Sequence, residues 1–305
     1  MNACKTILLT FTLAPWLTFP AYAADPKGEG NQGKPKGETK PAPVVADDIV
    51  IEKDIAYGTD EKQKLDLYKP KTITGKLPAV ICLHGGGGDK ASYAAAAVRL
   101  ARRGYVAISA NYREDPAPAY PKCLEDAKAA LAWLCAREEV DAQRTGALGG
   151  SAGGWLSSML GTQEFAHKVK CAINQFGPTD LTDPELEAFN PTFWKSPDRG
   201  MNKVFGPDHA QDKPLRQQAS PVSHVSSNDA DFIFTRSVNE KLVAKSQALR
   251  MIEKLRTVGK TVPDLYEFNG EGAGHATKMT ADEALRIWKI QQDFLDKHLK
   301  TIPIP

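Results

Sequence analysis

Apolar and polar positions from Asp48 onward alternate between two periodicities. Short apolar runs predict strands that are mostly buried on both faces, and the segments between them carry apolar residues at helical spacing. The predicted strands are residues 49–51, 64–68, 78–83, 105–110, 144–148, 169–174, 231–237 and 265–268. The predicted helices are residues 92–103, 120–134, 155–160, 242–255 and 281–299. This alternation is typical of the α/β class, a mostly parallel sheet with helices on both faces and functional residues at the carboxyl ends of its strands.

One section, residues 182–226, breaks the alternation. It carries many Pro and Asp residues and a few scattered aromatic residues. A long irregular surface loop is the simpler interpretation. Compact domains rarely keep so long a connection without a use, so we expect a small cap or lid insertion over the functional site.

The first residues differ from the rest of the chain. Lys5 precedes a short apolar run from Ile7 to Phe19, and Ala21-Tyr22-Ala23 fits the small-x-small pattern of a cleavage site. The run is too short to span a bilayer comfortably. We expect a signal peptide over 1–23, a flexible Pro/Gly/Lys-rich linker over 24–46 and one α/β domain over 47–305. The protein is therefore expected to be secreted or periplasmic, with an uncleaved anchor as the alternative.

Composition excludes some classes of partner. A net charge of +2, with no long run of like charge, argues against a nucleic-acid partner. The cysteines that cleavage would leave fall in strand-like runs or in one predicted helix, which favours mostly free, structural thiols. A bridge from Cys123 or Cys135 to another element stays open. No Cys or His spacing suggests a metal site, and no cofactor is implied.

Candidate chemistry centres on Gly149-Gly150-Ser151-Ala152-Gly153, between a predicted strand and a predicted helix. Small residues around one serine at such a junction form the G-x-S-x-G nucleophile elbow, although Gly/Ser-rich turns are also common. A serine nucleophile needs a base, a group that orients the base, and N–H donors for an oxyanion. After the strand that ends at Leu83, the glycines of His84-Gly85-Gly86-Gly87-Gly88 let backbone N–H groups approach a ligand closely.

These motifs, with Asn111-Tyr112-Arg113 and Asp126, resemble the alpha/beta-hydrolase superfamily. Within it the chain is similar to esterases and lipases of the HGGG type, both feruloyl- or acetyl-esterase-like and hormone-sensitive-lipase-like. Four further segments fit the feruloyl/acetyl-esterase pattern: Leu-Asp-Leu-Tyr at 65–68, Phe-Gly-Pro at 176–178, Ala-Ser-Pro at 219–221 and Gly-Ala-Gly-His at 272–275. The resemblance covers residues 48–300 and implies an alpha/beta-hydrolase fold with serine-esterase chemistry.

The resemblance places the base near the C-terminus, in the chain order Ser, acid, His. His275 follows the last predicted strand in a Gly-rich loop and is our candidate for the base. His84 belongs to the oxyanion loop and is expected to be structural, and His298 is expected to be exposed on the last helix. The remaining histidines do not follow the end of a predicted strand and are not candidates: His167, His209 and His224.

The acid should follow the strand from Phe232 to Thr235, the central part of the predicted strand 231–237. Relatives usually carry it shortly before a Val-Pro pair, and counting back from Val243 places Glu240 at that position. Asp229 and Asp231 precede the strand and would lie at its wrong end. A solvated carboxylate at a helix start is the alternative interpretation of Glu240.

The resemblance also implies an oxyanion hole formed by the N–H groups of Gly86, Gly87 and Ala152. Gly88-Asp89-Lys90 follows Gly87 directly, without the aromatic residue that relatives usually carry there. This shorter loop predicts a more open acyl side of the site.

Together these expectations describe a serine carboxylic-ester hydrolase that acts on short-acyl esters through an acyl-enzyme. An exported esterase that carries a flexible linker is suited to hydrolyse acetylated or feruloylated carbohydrate. This hypothesis rests on analogy at the level of the fold. Two alternatives stay open: an exo-peptidase or amidase on the same scaffold, and a non-catalytic hydrolase-like binding module. The expected partner is a small-molecule ester, and the oligomeric state is left open.

Overall fold

The computed structural model describes residues 48–272, 274–276 and 278–300. The strands are β1 (Ile49–Ala56), β2 (Lys64–Pro70), β3 (Leu77–Leu83), β4 (Val106–Ala110), β5 (Val140–Gly150), β6 (Cys171–Gln175), β7 (Asp231–Ser237), β8 (Tyr266–Phe268), β9 (Gly270–Glu271) and β10 (Lys278–Met279). The helices are α1 (Ala94–Arg102), α2 (Lys122–Cys135), α3 (Ala152–Thr162), α4 (Pro184–Phe189), α5 (Pro191–Trp194), α6 (Gly200–Phe205), α7 (Lys213–Gln218), α8 (Lys245–Thr257) and α9 (Ala281–Leu299). Single turns of 3-10 helix lie at Lys90–Tyr93 and Pro221–His224.

Eight of the strands form one sheet in the order β1-β2-β4-β3-β5-β6-β7-β8. β1 and β2 pair antiparallel, as do β2 and β4. All neighbours from β4 across to β8 run parallel. The predicted fold class is confirmed, and the parallel strands end along one edge of the sheet.

The two faces of the sheet bury separate apolar clusters. Successive side chains of a strand point to opposite faces, so Ile81 of β3 packs in one cluster and Cys82 in the other. Helices α2, α3 and α8 cover the first face, and α1 and α9 cover the second. The cysteines of the described chain are buried in these clusters as free thiols: Cys82, Cys123, Cys135 and Cys171.

Residues 182–226 form four short helices, α4 to α7, and a 3-10 turn. Three of these helices are preceded by a capping residue whose side chain accepts a hydrogen bond from a backbone N–H of the first turn: Asp183, Asn190 and Asp212. Proline occupies one of the first two positions of each of these helices. Because Asp, Asn and Pro favour helix starts, the composition that looks irregular in the sequence supplies helix caps.

This segment is attached on two sides. Trp194 Nε1 donates to the carbonyl of Leu242, after β7, at 2.8 Å. The N–H of Ala119, after β4, donates to the carbonyl of Lys203 at 3.0 Å. Both attachments follow the carboxyl ends of strands, and the role of the segment as a lid stays a prediction.

The structure corrects the predicted start of α8. This helix begins at Lys245 and not at residue 242. The N–H groups of Leu242 and Val243 donate to the side chain of Glu240, and these two residues lie before the helix.

The expected signal peptide and linker lie outside the described residues. Among the residues that are described, no helix combines the length and the apolar character needed to cross a membrane.

A buried carboxylate fastens the chain after β4 to α2. Asp126 is fully buried and accepts hydrogen bonds from the backbone N–H of Arg113 at 2.8 Å and from its guanidinium Nη2 at 2.6 Å. Gln63 Nε2 adds a third at 2.7 Å. A buried carboxylate is tolerated only when it is paired in this way. The pairing fixes Arg113, and with it the residue that follows, Glu114.

Replacing Asp126 by Asn should lower the free energy of unfolding by roughly 2–3 kcal/mol, since it leaves the Arg113 guanidinium without its charge partner and Arg113 is partly exposed. Urea unfolding measures the change. Glu125→Gln alters the exposed neighbour on the same helix and should shift stability by less than about 0.5 kcal/mol. Equal losses in the two variants would contradict this role of Asp126.

Candidate active site

Ser151 lies between β5 and α3, where the strand turns sharply into the helix. Its φ of 54° is in a region that non-glycine residues rarely occupy. A Cβ at Gly153 would lie 2.0 Å from the carbonyl oxygen of Leu83, and one at Gly149 would lie 2.3 Å from that of Gly153. These glycines are therefore required by backbone contact, and they let the strained serine stand at the tip of the turn.

The structure brings the three side chains predicted from separate parts of the chain into one hydrogen-bonded series. His275 Nε2 lies 2.7 Å from Ser151 Oγ, and His275 Nδ1 lies 2.8 Å from Glu240 Oε1. The backbone sets this geometry, because Glu240 and Gly274 form a parallel bridge beyond the end of β7. His275 follows directly and is thereby held between the serine and the acid.

Glu240 is 2% exposed and hydrogen-bonded on several sides. Its Oε1 accepts from the N–H of Leu242 at 2.8 Å and of Val243 at 3.3 Å, as well as facing His275. Burial alone would raise the pKa of Glu240, but the hydrogen bond and charge of His275 and the two N–H groups outweigh it and leave the pKa below its ordinary value. The carboxylate is therefore ionised at neutral pH, and the alternative of a solvated helix-start carboxylate does not fit.

Asp231 lies at the opposite end of β7 from Glu240. Its carboxylate is 3.0 Å from His298 Nδ1 and 3.4 Å from Lys260 Nζ. The expectation that His298 is exposed is wrong, because only 17% of its side chain is exposed and it pairs with Asp231. Neither residue belongs to the site.

His84 has a packing position in the loop after β3. It is 2% exposed, and its ring stacks on Tyr112 with centroids 4.3 Å apart. The Tyr112 hydroxyl also donates to the His84 carbonyl at 2.7 Å. Burial lowers the pKa of His84 to about 4, so the ring is neutral at neutral pH. This pair holds the base of the glycine loop.

The three predicted oxyanion donors differ in the structure. The N–H groups of Gly86 and Ala152 have no acceptor among the described residues. Ala152 is the first residue of α3, where backbone N–H groups have no partner within the helix. The N–H of Gly87 donates to Glu114 Oε1 at 2.7 Å. Gly87 is therefore not open to a ligand while Glu114 holds this position.

The sequence analysis assigns no role in the site to Phe176 and Glu114, although Phe176 lies in the FGP segment of the esterase pattern. Phe176, after β6, packs edge-on against the His275 ring with centroids 5.3 Å apart. Glu114 follows β4 and the Asn111-Tyr112-Arg113 motif, and burial raises the pKa of its carboxyl against the opposing effect of the Gly87 N–H. A position just after a parallel strand is the signal that could have indicated both residues.

The arrangement can activate a hydroxyl nucleophile. His275 Nε2 is within reach of the Ser151 proton, and the Glu240 carboxylate can hold the ring in one tautomer and stabilise its charged form. A Cβ at Gly86 would lie 3.9 Å from the Cβ of Ala152, so the two open N–H groups belong to neighbouring segments. Backbone N–H groups without an acceptor can stabilise a reacting oxygen that becomes negatively charged.

Comparison with known proteins adds a family match. The BD-FAE family model matches residues 65–255. The matched region runs from β2 into α8 and contains Ser151, Glu240 and the glycine loop, whereas His275 lies beyond its end.

Two curated relatives come from Mycobacterium tuberculosis (strain ATCC 25618 / H37Rv). Probable carboxylic ester hydrolase LipM is 29% identical over 234 residues, which cover 70% of this chain and 53% of LipM. Esterase LipC is 27% identical over 237 residues, which cover 72% of this chain and 59% of LipC. The chain thus spans little more than half the length of these relatives.

Solved structures share the fold. A truncated form of a carbohydrate esterase from gut microbiota superposes with a TM-score of 0.65 at 19% identity, covering 83% of this chain and 97% of that one. A bacterial heroin esterase gives a TM-score of 0.66 at 20% identity, covering 84% and 86%. At these identities the likeness establishes the alpha/beta-hydrolase fold.

The role of Glu240 can be tested by the rate at which a fluorophosphonate probe labels Ser151. Glu240→Gln should slow labelling by roughly 100- to 10,000-fold, since the amide can donate to Nδ1 and hold the wrong tautomer of His275. Asp231→Asn removes a carboxylate from the other end of the same strand and should leave the rate unchanged. The reverse pattern would move the acid to Asp231.

Proposed function

The chain belongs to the BD-FAE family, and from this premise we propose that it is a serine carboxylic-ester hydrolase that acts on short-acyl esters. The observation that carries the proposal is the unbroken hydrogen-bonded series from Ser151 through His275 to Glu240, at the edge where the parallel strands end. The names of the two mycobacterial relatives agree with this reaction class.

The reaction begins with attack of Ser151 Oγ on the ester carbonyl. His275 Nε2 takes the hydroxyl proton and returns it to the leaving alcohol, which leaves an acyl group on the serine. Water, deprotonated by the same imidazole, then releases the carboxylic acid and restores the serine. Glu240 stabilises the imidazolium that forms in each step.

The oxyanion of the tetrahedral intermediate is bound by the N–H groups of Gly86 and Ala152, which have no other acceptor within the described chain. Gly87 joins them only when the Glu114 carboxylate moves away. A hydrogen bond to an oxyanion in such a hole typically contributes on the order of 100- to 1,000-fold to turnover.

For the substrate, we propose an acetylated or feruloylated carbohydrate. Its support is the sequence resemblance to feruloyl- and acetyl-esterase-like enzymes, together with the carbohydrate esterase among the solved structures that share the fold. The segment 182–226, attached after β4 and after β7, is proposed to be the lid that shapes this site.

We further propose export to the periplasm or the medium, with cleavage after the sequence Ala21-Tyr22-Ala23. N-terminal sequencing of the protein recovered from cell fractions tests this part. A mature chain that starts near residue 24 supports it, and an intact Met1 in the exported fraction contradicts it.

The reaction itself is tested by assaying purified Ser151→Ala with short-chain aryl esters. Turnover should fall at least about 1,000-fold, because the acyl-enzyme can no longer form. Ser157→Ala is the matched control. It removes a buried hydroxyl from α3, the helix that follows Ser151, and this hydroxyl has no hydrogen-bond partner in the described chain.

Wild-type protein that cleaves peptides and no ester would favour the exo-peptidase or amidase alternative. Failure of a fluorophosphonate probe to label Ser151 would favour a non-catalytic binding module.

A further inference from the structure

Glu114 is fixed at the carboxyl edge of the sheet by its neighbours. It follows β4, and the preceding residue, Arg113, is fastened to the buried Asp126 through both its backbone and its guanidinium. The side chain is partly buried. Its place next to the glycine loop is therefore set by the packing of α2 against the sheet.

The carboxylate of Glu114 is also oriented. Its Oε1 accepts the N–H of Gly87 at 2.7 Å. Its Oε2 borders the space over Gly86, where an added Cβ would meet Oε2 at 3.5 Å and the Cβ of Ala152 at 3.9 Å. One oxygen thus holds the loop, and the second faces the space between Gly86 and the side chain of Ala152.

No basic side chain neutralises this carboxylate within the chain that the structure describes. The neighbouring cations are committed elsewhere: Arg113 pairs with Asp126 at 2.6 Å, and Lys203 pairs with Asp115 at 3.2 Å. A carboxylate with one hydrogen bond keeps further lone pairs for other donors. The site therefore presents an oriented carboxylate that forms no ion pair among the described residues, while the charges of Lys203 and Lys62 act on it from a distance.

The Glu114 carboxylate raises the energy of the transition state for hydrolysis of a neutral ester. The developing oxyanion and the Glu114 carboxylate are like charges in a partly desolvated site, and they repel each other. A substrate with a cationic group close to the ester would pair with Glu114 and reduce this repulsion in the transition state. Interactions that strengthen in the transition state raise kcat/KM.

Building on the proposed function, we propose that Glu114 is a specificity-determining residue that selects esters carrying a positively charged ammonium group near the scissile bond. Two sources of this chemistry are considered: a quaternary alkylammonium alcohol and a protonated amino sugar. Either presents a cation at the distance of a few bonds from an O-acyl group.

The test compares kcat/KM for pairs of esters that differ in charge and little in shape. Acetylcholine is paired with 3,3-dimethylbutyl acetate, and 6-O-acetylglucosamine with 6-O-acetylglucose. The wild type should prefer the cationic member of at least one pair by roughly fivefold, the scale of one partly exposed ion pair. The pair that shows the preference identifies the source of the cation.

Glu114→Gln keeps the acceptor for the Gly87 N–H and removes the charge. The ratio of kcat/KM for the cationic ester to kcat/KM for the neutral ester should fall to about one, because the variant no longer offers a negative charge to the cation. Asp115→Asn, the matched control, removes the adjacent carboxylate that already pairs with Lys203 and should keep the preference. A wild type that favours the neutral esters, or a preference that survives in Glu114→Gln, would overturn the proposal.

A measurement without turnover separates this inference from the proposed reaction. Calorimetry measures the binding of choline and of glucosamine to the wild type and to Glu114→Gln, and at least one of the two cations should bind roughly fivefold more weakly to the variant. Equal binding of both cations to the two proteins overturns the role of Glu114 even in an active esterase. Failure to cleave any ester, with charge-dependent choline binding intact, overturns only the reaction.

Discussion

The close backbone approach between the Ser151 turn and the end of β3 is the constraint on which the site depends. A Cβ at Gly153 would lie 2.0 Å from the Leu83 carbonyl oxygen, so only glycine permits this contact. The contact places Ser151 next to the loop that follows β3, which supplies the N–H group of Gly86. The parallel strands bring Glu240 and His275 to the same edge. Four groups thus meet because four strand ends share one edge of the sheet: Gly86, Ser151, Glu240 and His275.

Much of this arrangement could be predicted because it depends on local patterns of residues in the sequence. Continuous apolar runs indicate buried parallel strands, and glycines around a serine indicate a turn too tight for side chains. Position after a strand, together with the resemblance to HGGG-type esterases, indicates which polar residues reach the edge, and both point to Glu240 and His275. The structure places both within hydrogen-bonding distance of their neighbours in the series.

Other features depend on contacts between residues far apart in the chain, and no local pattern reports them. α8 starts three residues later than predicted, and in the segment before it the Glu240 side chain accepts the N–H groups of Leu242 and Val243. His298 is partly buried because α9 packs it against Asp231. Glu114 is the largest omission, since its meaning depends on the Gly87 N–H and on the absence of a described basic partner. A surface carboxylate and a site carboxylate look alike in a sequence.

The central claim is that Ser151 forms a covalent acyl intermediate. Its most direct test is rapid acid quenching during turnover of an aryl ester, followed by mass spectrometry of the digested protein. We expect the peptide that contains Ser151 to gain the mass of one acyl group within the first turnover and to lose it as the substrate is exhausted. An acyl group on another residue, or none during active hydrolysis, would contradict it.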